Sequence, residues 1–130
     1  MIYANQYMKY KAQSINTATP GEQIVMLFER AGMNLSYAER CIEAKDVPGA
    51  HNAIVKAQNI YQFLSDSLDM RMEISASLYA LYQYAYDELV TANMKKDAEI
   101  VRRILKITRD FEEVWREADL KTRLERVAAR

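Results

Sequence analysis

The sequence predicts an all-α protein, an antiparallel up-down four-helix bundle with a short N-terminal helix or arm and a helical C-terminal tail. Three observations carry this. Only three glycines and two prolines punctuate 130 residues, too few for many short strands. Apolar residues recur at three- and four-residue spacing along most of the chain, with no strand-like alternation. The polar breaks between these stretches are short, which makes successive helices antiparallel neighbours. Half of the residues are hydrophobic, enough at this length for one domain with a real core.

Residues 1–18 are polar apart from a few apolar side chains and three tyrosines, Tyr3, Tyr7 and Tyr10. They form an arm, in which Tyr7 to Ile15 can be a short helix. The bundle is expected over 19–117 and a basic amphipathic tail over 118–130. Thr19-Pro20-Gly21-Glu22 opens the first helix: Thr19 caps, Pro20 fits the first helical position and Glu22 completes a capping box. This helix runs to about Ala44, with a buried stripe of Ile24, Leu27, Phe28, Ala31, Leu35, Ala38 and Ile42.

Asp46-Val47-Pro48-Gly49 stops it and starts the second helix, with Asp46 as N-cap. The second helix continues to about Leu68 on Ile54, Ala57, Tyr61, Leu64 and Leu68. The boundary at residues 68–73 has neither glycine nor proline. Helix three then covers about Ile74 to Ala92, Asn93 to Lys96 form a polar turn, and Asp97 caps helix four. The fourth helix presents Ile100, Val101, Ile104, Leu105, Thr108, Phe111, Val114 and Trp115. Leu120, Leu124 and Val127 repeat the pattern in a tail that extends helix four or forms a separate helix.

Eighteen basic side chains balance eighteen acidic ones, so no global charge draws the chain to nucleic acid. The middle is acidic, with five basic and ten acidic residues over 21–94, and both ends are mildly basic. No run of apolar residues is long enough for membrane insertion. The first residues have no basic leader followed by an apolar core, and Cys41 is the sole cysteine; both fit a cytosolic protein.

Catalytic chemistry has little to stand on. The single histidine, His51, lies in the first turn of helix two without a Glu-x-x-His partner. Cys41 has no second thiol for a zinc pair and reads as a small buried hydrophobe. Gly21, Gly32 and Gly49 are too far apart for a phosphate loop. The expectation is a protein that is not an enzyme and needs no cofactor or metal.

Binding features are more prominent. Tyr79, Tyr82, Tyr84 and Tyr86 fall within eight residues. At about 100° per residue, Leu78, Leu81, Tyr82, Ala85 and Leu89 share one stripe, and Tyr79, Tyr86 and Val90 widen it to roughly half the circumference. Tyr84 points the other way. Such a helix either packs between two neighbours or keeps an aromatic flank for a partner. The side of helix two bearing Lys56, Asn59, Ile60, Phe63 and Ser67 adds apolar surface beyond its own stripe. Tyr7 and Tyr10 share a face if the arm is helical, and can pack permanently on the bundle or cover a groove that a partner would take.

In order and spacing the residues resemble the flagellin-specific export chaperones, the FliS family. The arm reads Asn5-Gln-Tyr7-Met-Lys-Tyr10, followed by Thr17-Ala-Thr-Pro20 and Met26-Leu-Phe-Glu29. Helix two carries Lys56-Ala-Gln-Asn-Ile60, Leu64 and Ser67-Leu-Asp69. Helix three carries Leu78, Leu81-Tyr82-Gln-Tyr84, Leu89, Ala92-Asn93 and Asp97, and Trp115 is the late tryptophan. The family usually has a glycine after the Leu-Asp of helix two, where this chain has Met70-Arg71-Met72.

The resemblance implies a cytosolic chaperone that binds the disordered C-terminal region of flagellin. It would prevent premature polymerisation and assist delivery to the flagellar type III secretion apparatus, with an export-gate component or regulator as further partner. Combined with the residue pattern, it places the client in grooves lined by helices two and three. Ile60, Phe63, Tyr79, Tyr82 and Tyr86 are the expected anchors, Lys56 and Asn59 flank them, and Tyr7 and Tyr10 compete for the same surface. The alternative is a helical module that self-associates through those faces as a homodimer.

Overall fold

Three of the four helices start where a side chain can take up their first free backbone N–H groups. The computed structural model describes residues 18–129, so Tyr3, Tyr7 and Tyr10 lie outside the described residues. Thr19 Oγ accepts from Glu22 N at 3.2 Å and opens α1, Pro20–Glu43. Asp46 accepts from Gly49 N at 3.0 Å and opens α2, Val47–Asp66. Helix α3, Ser75–Lys95, has no side-chain cap bond. Asp97 accepts from Glu99 N at 2.9 Å at the start of α4, Ala98–Ala128. No strand occurs among the described residues.

The helices form the expected antiparallel bundle, with α1 between α2 and α4, and α3 packed mainly on α2. Phe28, Leu35, Ile54, Leu89, Val101 and Ile104 are fully enclosed at its centre. An aromatic cluster closes one half of this core. Phe28 stacks on Phe111 with centroids 5.2 Å apart, and Tyr82 meets the same Phe111 ring edge-on at 5.3 Å.

One detail departs from the sequence reading, and one alternative that it leaves open is decided. Helix α3 passes through Asn93 and Met94, and ends only where Lys96 takes a left-handed conformation at φ 50°. Of the two readings of the C-terminal tail, the structure has the extension of helix four: α4 continues unbroken to Ala128. At about 1.5 Å per residue, its 31 residues span about 46 Å, against about 36 Å for the 24 residues of α1. The start of α1 lies against Asp119, beside Gly21, and Arg123 reaches Glu22 at 3.4 Å. The last turns of α4 therefore run past the end of α1, and every described residue from Leu120 onward is exposed.

Candidate functional site

Of the four main helix pairs, α3 and α4 pack most loosely, and an open apolar groove of about 520 Å³ occupies that seam. From α3 it receives Ile74, Leu78, Leu81 and Tyr84, a ladder at three- and four-residue spacing. From α4 it receives Ile107, Phe111, Val114 and Ala118. Asp110 is the one charged residue in its lining, and its carboxylate sits 3.5 Å from Lys106. Leu81 stays exposed although buried Tyr82 and Ala85 lie beside it on α3, and Val114 is exposed on the facing wall.

The turn before α3 sets one end of this groove. It needs no glycine because Asp69 holds it together: its carboxylate accepts from the backbone N–H of Arg71 and from the Arg71 guanidinium, each at 3.0 Å. These bonds hold the Asp69 carboxyl below the usual carboxylate range. Ser75 Oγ donates to the Asp69 carbonyl at 2.6 Å and ties the first residue of α3 to the turn. Ile74 is thereby presented at the groove mouth, with Met70 and Met72 exposed beside it.

A second depression of about 260 Å³ lies at the same end of the bundle. Ile24 and Leu27 of α1, Phe63 of α2 and Leu68 just after it form its sides. Trp115 lines both depressions and makes a shared wall between them. Tyr82 closes the bottom of the smaller one, where burial pushes its hydroxyl above the ordinary tyrosine range and keeps it neutral. Together the two form an apolar track from the α3–α4 groove over Trp115 to the α1–α2 side.

The residues singled out from the sequence scatter across this arrangement. Phe63 is 58% exposed and lines the smaller depression. Ile60 at 9% and Tyr82 at 1% are buried with the core, and Tyr82 also lines the smaller depression. Their stripe faces the centre of the bundle, where the aromatic cluster uses Tyr82. Tyr86 packs at the edge of the core, and Tyr79 is exposed but borders neither depression. Lys56 and Asn59 are exposed on α2, away from both. Tyr7 and Tyr10 lie outside the described residues.

The sequence reading puts Leu81 in the core stripe and Tyr84 on the far side; in the structure both line the α3–α4 groove. The readable signal is the excess of apolar residues on both helices, with Ile107, Phe111 and Val114 repeating the four-then-three spacing of Ile74, Leu78 and Leu81.

Other chemistry is sparse. Among the described residues no three His, Cys, Asp or Glu side chains are placed to hold a metal ion. His51 is exposed and its Nδ1 lies 2.9 Å from the Asn93 amide, while Cys41 is a buried free thiol. No described helix is long and apolar enough to cross a membrane.

Comparison with known proteins agrees with the helical fold. The family model for the flagellar protein FliS matches residues 3–122. The flagellar secretion chaperone FliS of Bacillus subtilis (strain 168) is 37% identical over 118 residues, covering 91% of this chain and 89% of its own. Its counterpart from Salmonella typhimurium (strain LT2) is 31% identical over 107 residues, covering 80% and 79%. The fold is similar to that of a solved crystal structure of a flagellar chaperone from bacteria, with TM-score 0.74 at 17% identity, over 91% of this chain and 98% of that one.

Proposed function

Because this chain belongs to the FliS family of flagellar secretion chaperones, we propose that its α3–α4 groove receives the disordered C-terminal region of flagellin in the cytosol. The client folds into short amphipathic helices on the apolar track, stays unpolymerised and is carried to the flagellar type III secretion apparatus. The observation that carries this reading is the trough itself: a wall of leucine, isoleucine, valine and aromatic side chains, interrupted by one carboxylate, in a domain whose core is otherwise closed.

The physics suits a client that must be handed on. An amphipathic helix recognises a groove through apolar anchors at positions i, i+3, i+4 and i+7. The groove extends from Ile74 to Tyr84 on α3, ten residues and about 15 Å, which matches three turns of client helix. Ordering the client consumes part of the gross interaction energy, so affinity per unit area stays low and release remains possible. The smaller depression around Phe63 and Trp115 takes the continuation of the same segment. The arm leaves α1 at Ala18, beside Pro20 and Gln23 of that depression, so residues 1–17 are within reach as a competitor.

Titration with a flagellin C-terminal peptide tests the reading. Val114→Glu places a charge in the apolar wall and is expected to weaken binding by about tenfold or more, as at a buried anchor, while helix content and melting temperature stay unchanged. Unchanged affinity in the folded variant rejects the groove as the client site. Deleting residues 1–17 is expected to raise affinity or uncover a dye-binding patch; no change in either counts against competition by the arm.

A further inference from the structure

The end of α4 carries a second apolar feature. Leu120, Leu124 and Val127 are 51%, 61% and 67% exposed. At about 100° per residue they fall within about 60° of one another, a stripe with i, i+4 and i+7 spacing. That spacing is the anchor pattern a helix needs to lie in a groove. Phe111, Val114 and Ala118, which line the α3–α4 groove, lie about 120° to 180° round the same helix.

We propose that this tail docks in the α3–α4 groove of a second copy of the chain. The tail cannot serve its own groove. Helix α4 is continuous from Ala98 to Ala128, so the tail is a rigid extension of the groove's own wall, with its apolar stripe turned to the other side. A second copy brings the two features together. The charges agree: Asp110 lines the groove, while Lys121 and Arg126 flank the stripe. Neither Lys121 nor Arg126 makes an ion pair among the described residues.

One tail of about ten residues buries less than the roughly 1,200 Å² of a stable complex, so the association is transient and concentration-dependent. Because one copy gives a tail and the other a groove, the contact is head-to-tail and leaves a free groove at one end. The proposal shares its groove with the flagellin reading but needs no client, so each can fail alone.

Sedimentation of the full chain without client, from low micromolar to near-millimolar concentration, is the test. The weight-average mass of the wild-type chain is expected to rise with concentration. Leu124→Glu removes the tail's anchor and Val114→Glu blocks the groove; both sites are exposed, and each variant is expected to stay folded and monomeric. Leu81→Glu, on the opposite wall, replaces Val114→Glu if that variant loses helix content. Mixing the tail variant with the groove variant is expected to give a one-to-one dimer that grows no further, since only one intact tail then meets one intact groove. A wild-type chain that stays monomeric throughout overturns the proposal. So does association indifferent to Leu124→Glu, or a mixture that remains monomeric.

Discussion

The Tyr61 hydroxyl on α2 and the Thr108 hydroxyl on α4 meet 2.5 Å apart, both buried, across the centre of the bundle. Thr108 gives its own proton to the Ile104 carbonyl at 2.7 Å, so Tyr61 is the donor of the pair. The bond links two diagonally placed helices, and it satisfies a phenol that would otherwise be desolvated without compensation.

The direction of that bond predicts an asymmetry. Tyr61→Phe leaves Thr108 still donating to Ile104 and costs about 1 kcal/mol, the net worth of an ordinary hydrogen bond. Thr108→Val leaves the buried Tyr61 hydroxyl without its acceptor and costs about 1 to 3 kcal/mol. Urea denaturation of the two variants is expected to rank Thr108→Val as the less stable. The reverse order would mean that Tyr61 is not the donor.

Tyr61 also sets a limit on alkaline stability. Burial raises its pKa well above the ordinary value of 10.0, only partly offset by Thr108. A raised folded-state pKa means that the unfolded chain loses this proton first. The stabilising effect is complete below pH 10.0 and is lost as pH rises from there toward the folded-state pKa. Tyr82 adds to the effect in the same direction. Above that point, tyrosinate absorbance and loss of helical circular dichroism are expected to develop together. Tyr61→Phe, though less stable at neutral pH, is expected to lose less stability between neutral pH and pH 11, a range chosen to start below and end about one unit above the unfolded value.

The glycines divide by what a methyl group would meet. In Gly32, inside α1, an added Cβ sits at 3.9 Å from Leu105 Cδ1, an ordinary contact. Gly32→Ala is therefore expected to stabilise by about 0.5 to 1 kcal/mol through helix propensity. In Gly49 the same atom would run into the Asp46 carboxylate that caps α2 and lie 2.9 Å from Cys41 Sγ. Gly49→Ala is expected to destabilise by about 1 to 3 kcal/mol. Opposite shifts in thermal midpoint are the expected result.

Helix starts were legible because they are written in local chemistry. Thr19-Pro20, Asp46 with Gly49, and Asp97 all cap where their side chains can reach free N–H groups. The end of α3 was not legible, since Lys96 adopts the left-handed conformation without the glycine that normally marks it. The groove was half legible. Periodicity reported that α3 has more apolar circumference than one neighbour needs, but not which neighbour packs tightly. Tyr82, Ala85 and Leu89 are taken by the core, and Leu78 and Leu81 are left toward α4, where packing is loosest. That division depends on how three other helices share the volume, which no single helix encodes.

The same division separates the two placements of the client. If the client lies between α2 and α3, Tyr79 is a principal anchor and Tyr84 is a bystander. If it lies between α3 and α4, Tyr84 contributes a ring to the groove wall and Tyr79 contributes nothing. Both rings are similarly exposed, at 43% for Tyr79 and 44% for Tyr84, so truncating either leaves the core intact. A buried aromatic anchor at an interface is worth about 2 kcal/mol or more, and a peripheral one much less. Calorimetric titration with the flagellin peptide is therefore expected to show Tyr84→Ala weakening binding by more than about tenfold and Tyr79→Ala leaving it near the wild-type value. The opposite ranking would move the client to the α2–α3 face, where Phe63 and Tyr86 would become the next residues to truncate.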